Sequence, residues 1–142
     1  MKKQDTLLRL RRFRVDELKR RMATLDGMKA DMEKKLADLE DSVARERQRA
    51  SDTDIGRLAF PSFLKSIEIR REKLKDTLRD LDRERAACQE ELTSAYQDLK
   101  SLEFANEQQE KRLAEIEARR AQARLDEMAL VRHLRKHALR AG

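Results

Sequence analysis

The chain has 142 residues, 44% of them charged, 39% hydrophobic and 4% aromatic, with no Trp, one Pro, three Gly and one Cys. One domain fits that length, but a compact catalytic core needs more apolar and aromatic residues, and its turns more Gly and Pro. The net charge of +6 divides unevenly: +6 over residues 1–21, −5 over 22–110 and +5 over 111–142, so both ends are basic around an acidic middle. Arg, Glu, Leu, Ala and Lys form helices readily, and the apolar residues are regularly spaced. Together these indicate long helices with solvated faces, not a disordered chain.

The first residues, MKKQDTLLRLRRF, are basic but lack the apolar run of a secretory signal. No stretch approaches the roughly 18 apolar residues of a membrane span. With Cys88 the lone cysteine, no internal disulfide can form, and a reducing, cytoplasmic location is expected.

From Leu8 the apolar residues recur at alternating steps of three and four through Val15, Leu18, Met22, Leu25, Met32, Leu36, Leu39, Val43 and Ala50. Arg11, Lys29 and Glu46 interrupt that seam. A second seam runs from Phe60 through Leu64, Ile67, Leu74, Leu78, Leu81, Cys88, Leu92, Ala95 and Leu99 to Leu102. It turns polar at Asn106 and Gln109 and resumes at Leu113, Ile116, Ala123, Leu130 and Leu134. Seams this long, with charges elsewhere, indicate a coiled coil.

Between the seams, SDTDIGRLAFPS (51–62) concentrates the turn chemistry. The spacing therefore predicts an all-α fold, a two-helix antiparallel coiled-coil hairpin with a longer second helix. Helix 1 is expected over about 4–52, the loop over about 53–60 and helix 2 over about 61–138, with 110–142 overhanging. Facing residues whose numbers sum to 117 give eight layers apolar on both sides, among them Leu18/Leu99, Leu25/Leu92 and Leu39/Leu78. A register one heptad shorter, summing to 110, also gives eight, but sets five polar residues against apolar ones instead of three. The cost of an unpaired buried charge favours 117.

The overhang keeps an apolar stripe of Leu113, Ile116, Leu130 and Leu134 among Arg119, Arg120, Arg124, Arg132, Arg135, Lys136 and Arg140. An isolated helix is marginal in water, so the stripe is expected to meet a partner. Near the turn, Phe60, Leu64 and Ile67 fit the seam as a hairpin cap, while Phe63 and Ile69 lie off it and suggest a contact site.

No phosphate-binding loop, dinucleotide fingerprint or CxxC pair occurs, and two helices form no pocket for a catalytic triad. His133 and His137 stand four apart without a third ligand, and carboxylate pairs such as Asp80/Asp82 read as solvated surface. No enzyme and no cofactor are expected. Cys88 fits the seam as a small hydrophobe. Nucleic acid is not expected as a partner, because Arg alternates with acids along the rod and Tyr96 and the four Phe build no stacking platform.

Two stretches, MKKQDTLLRLRRFRVDE at the start and SDTDIGRLAFPSFLKSIEIRREKL at the loop, resemble the flagellar export protein FliJ family, closest to its alphaproteobacterial branch. The resemblance implies a non-enzymatic, stalk-like part of the flagellar type III export apparatus, cytoplasmic and peripheral at the inner-membrane flagellar base. It also implies partners: the export ATPase (FliI-like), the cytosolic domain of the export gate (FlhA-like) and export chaperones, with membrane reached only through the apparatus. The family's gate-contact pattern falls on Phe63, Leu64, Ile67 and Glu68, and the next turn reaches Arg70. The expected ATPase-ring contact is Leu113, Ile116, Arg120, Arg124, Leu130 and Leu134. The competing readings are the equivalent stalk of a virulence injectisome, a coiled-coil nucleic-acid-binding protein using the basic ends, and a homodimeric spacer.

Overall fold

A computed structural model describes residues 2–141, and among them every residue but one is helical. Helix α1 runs Lys2–Asp52 and helix α2 runs Asp54–Ala141, 51 and 88 residues long. At 1.5 Å per residue they extend about 77 and about 132 Å. The two helices pack against each other along α1, and no strand occurs among the described residues. The fold is the all-α hairpin that the two seams predicted.

The buried residues are seam residues. Val15, Leu18, Met22, Leu25, Val43 and Ala50 of α1 meet Ile67, Leu81, Cys88 and Leu99 of α2, and no polar or charged residue is buried. The densest part is a cluster of Leu18, Met22, Leu25, Leu81 and Cys88, with Met32, Leu92 and Ala95 packed beside it. Each fully buried leucine there stabilises the pair by about 1.5–3 kcal/mol. The Cys88 thiol donates to the Leu18 carbonyl at 3.7 Å, so the lone cysteine is a packed seam residue.

The connection is shorter than the loop expected over 53–60: Thr53 alone separates the helices. Its backbone N–H donates to the Arg49 carbonyl at 3.0 Å, closing α1. Its hydroxyl accepts from the Gly56 N–H at 3.0 Å, which is the N-cap interaction that opens α2. Glycine is required at position 56, because a Cβ there would stand 2.7 Å from the Arg49 carbonyl oxygen and from the Thr53 hydroxyl. Pro61 lies inside α2 rather than in its first turn. The carbonyl it leaves without a helical donor belongs to Arg57, an exposed residue that water can reach.

The short turn sets the register. The cross-helix pairs Asp26/Arg85, Lys29/Asp82 and Glu40/Arg71 each sum to 111 and Arg11/Asp98 sums to 109. The hairpin therefore pairs near 110, not at the expected 117. Beginning α2 at Asp54 instead of about 61 moves the pairing by one heptad. The five polar-on-apolar layers that argued against this register are real, yet none contains a buried charge. Arg11, Lys29, Arg71 and Arg85 lay their stems over the seam and send their charged groups outward. Each then meets a carboxylate next in sequence to the apolar residue it faces: Asp98 beside Leu99, Asp82 beside Leu81, Glu40 beside Leu39 and Asp26 beside Leu25. Glu46, the fifth, pairs within its own helix with Arg49. At Lys29 the hydrogen bond and charge of Asp82 outweigh the desolvation cost that favoured 117.

Candidate docking surfaces

Large apolar side chains are exposed at several places, Leu10, Phe13 and Phe104 among them, and two parts of α2 carry the residues read as contacts. The first is the start of α2. Of the residues read as a gate contact, Glu68 and Arg70 are exposed, Phe63 and Leu64 are half-buried, and Ile67 is only 2% exposed. Ile67 faces Val43 in the observed register and supports the face from below. Arg70 forms no ion pair, whereas the neighbouring Arg71 is held by Glu40 at 2.8 Å. Ile69 is exposed as expected, but Phe63 is more covered than its off-seam position suggested. Sequence reasoning missed Ile55 and Leu58, which it assigned to the loop. They lie in the first two turns of α2, 82% and 84% exposed, on the same face as Ile69. Two large apolar residues inside a turn-rich segment were the available signal.

The second surface is the free end of α2. Every side chain from 111 to 140 is exposed. Gln4 of α1 donates to Gln109 at 2.6 Å, close to the last turn that α1 can cover. Beyond it Leu113 and Ile116 are 42% exposed, Leu130 and Leu134 58%. Arg120 and Arg124 stand among them. Leu125, Met128, Val131 and Leu139, not singled out in the sequence, add to the exposed apolar surface.

The electrostatics of the two halves differ. Among the described residues, all ion pairs lie between Arg11 and Glu103. Lys29 is held above the ordinary lysine value, first by its hydrogen bond to Asp82 and then by that carboxylate's charge. Lys100 is raised likewise by Glu103, and its ammonium lies 5.3 Å from the Tyr96 ring centre. By contrast, the basic residues of 111–140 have no carboxylate within ion-pair distance. His133 and His137 meet edge to face, their ring centres 4.6 Å apart. No group of three metal-ligating side chains gathers among the described residues. Nor is any helix among them long and apolar enough to cross a membrane.

The two stretches that resemble FliJ lie in α1 and across the turn into α2. The family model described as Flagellar FliJ protein matches residues 1–138. The chain belongs to the FliJ family. No curated protein and no solved structure matches it. FliJ membership makes the chain a component of the flagellar type III export machinery. The family's match extends through the paired region and nearly all of the free end, so both surfaces belong to the FliJ unit.

Proposed function

We propose that this FliJ protein is a non-enzymatic stalk of the flagellar export apparatus, working on the cytoplasmic side of the flagellar base. The free end of α2 docks into the export ATPase ring through Leu113, Ile116, Arg120, Arg124, Leu130 and Leu134. The observation that carries this reading is the thirty-residue stretch 111–140, helical yet exposed throughout. No tertiary packing supports this helix, and its apolar stripe gains free energy only when something covers it. The unpaired arginines suit an acidic lining.

The start of α2 serves a second contact, with the cytosolic domain of the export gate, through Phe63, Leu64 and Arg70 above the buried Ile67. Export chaperones are further partners of the same apparatus. Co-purification with the export ATPase tests the ring contact: the full chain is retained and stimulates ATP hydrolysis, and a chain ending at residue 110 does neither. Full stimulation by the truncated chain would refute the docking assignment. For the gate, Phe63→Ala and Arg70→Glu are the informative variants, since both spare the core. Alanine at Ile67 removes a buried side chain and costs about 2–5 kcal/mol of stability, confounding any loss of binding.

A further inference from the structure

The last turns of α2 differ in chemistry from the rest of the free end. After Glu127 no acidic residue occurs, while Arg132, Arg135, Lys136 and Arg140 follow, together with His133 and His137. At 100° per residue, Met128, Val131, Leu134, Ala138 and Leu139 fall on one half of the helix. His133, Lys136, His137 and Arg140 fall on the other, and Arg132 stands at the boundary. The large apolar members of that half are all exposed, Leu139 at 82%, and α1 ends far short of them. Upstream, residues 111–127 are different: Glu115, Glu117, Asp126 and Glu127 interleave with the basic residues, and Arg120 and Glu127 break the stripe.

We infer that residues 128–141 bind the surface of a membrane containing anionic lipid, lying in the headgroup layer with the apolar half inward. Two features of the segment point to this occupant together. An anionic surface satisfies a run of basic groups without a single carboxylate, and the acyl boundary beneath it covers the apolar half. A nucleic acid would satisfy the charges and leave Val131, Leu134 and Leu139 in water. The segment is too short to span the bilayer, reaching only about 21 Å at 1.5 Å per residue. It therefore lies on the surface, and Arg135, inside the apolar half, reaches the phosphates by extending its stem. The segment overlaps the ring-docking stripe at Leu130 and Leu134, so lipid and ring compete for it, and the membrane holds the stalk when no ring covers its end. The lipid contact is direct and does not depend on the ring assignment.

Vesicle co-sedimentation with the full-length chain tests the inference. The expected result is binding to phosphatidylglycerol–phosphatidylcholine vesicles, little binding to phosphatidylcholine alone, and release at high salt as screening shortens. Arg135→Gln with Lys136→Gln should weaken binding about thirtyfold, on the basis of about 1 kcal/mol per basic residue at an anionic surface. Leu134→Asp should weaken it at least tenfold while leaving the paired helices folded, as circular dichroism would show. Absence of binding to anionic vesicles at low salt overturns the inference. So does binding that survives Leu134→Asp and is matched by a single-stranded RNA, since that result describes a general polyanion site. ATPase stimulation, measured on the same samples without vesicles, reports the ring contact separately.

Discussion

Thr53 holds the hairpin closed by facing both helices: its N–H completes α1 and its hydroxyl caps α2. Thr53→Ala should cost about 1 kcal/mol in urea denaturation, and Thr53→Ser should recover most of it, because serine keeps the capping oxygen. Gly56 matters for a different reason. A methyl group there would press on the Arg49 carbonyl, which is backbone and cannot swing away. Gly56→Ala should cost about 1–3 kcal/mol and loosen the turn, visible as faster amide exchange around 49–57. The residue types were legible in the sequence as turn chemistry. What they build was not, because capping geometry depends on two helix ends meeting, and that is set by packing farther along the chain.

The pairing of the helices reverses an argument from burial. A count of polar residues facing apolar ones treats a seam position as a buried position. In a two-stranded coil each seam is narrow and both flanks are wet, so a long basic side chain can cover the seam and still keep its charge in water. Lys29, over Leu81 and tied to Asp82 at 2.9 Å, shows how. A cross-linking experiment reads the register directly. With Met22→Cys, a short bifunctional thiol reagent should join the new cysteine to Cys88, the residue it faces when numbers sum to 110. With Lys29→Cys, which would face Cys88 at 117, it should not.

The Lys29–Asp82 pair also carries a pH signature. The folded lysine titrates above its unfolded value, so its contribution is complete below the unfolded value and disappears as pH rises through the folded one. The melting temperatures of the native chain and of Asp82→Asn should therefore differ by a constant amount through neutral pH. They should converge only in strongly alkaline solution. The difference should be small, because the pair is solvent-exposed and screened by salt.

At the scale of the molecule, the hairpin and its free end are energetically separate. Residues 111–140 bury nothing against α1, so a chain ending at residue 110 should unfold at the same urea concentration as the full chain. Its helix signal should fall only by the share of the lost segment. If the midpoint instead dropped sharply, the free end would be supporting the hairpin. The same independence lets the end serve partners without straining the coil.

The sequence by itself determined the fold class, the two seams and the basic ends, because period and composition are local properties. The loop length and the register were decided by the tertiary structure. Two registers a heptad apart present the same number of apolar layers, and local pattern cannot separate them. What separates them is where the chain turns, and the turn closes at Thr53 because Gly56 lets one helix start against the end of the other. The exposure of Ile55 and Leu58 and the burial of Ile67 follow from that same choice. Moving the start of α2 by one heptad turns a supposed loop into a displayed face.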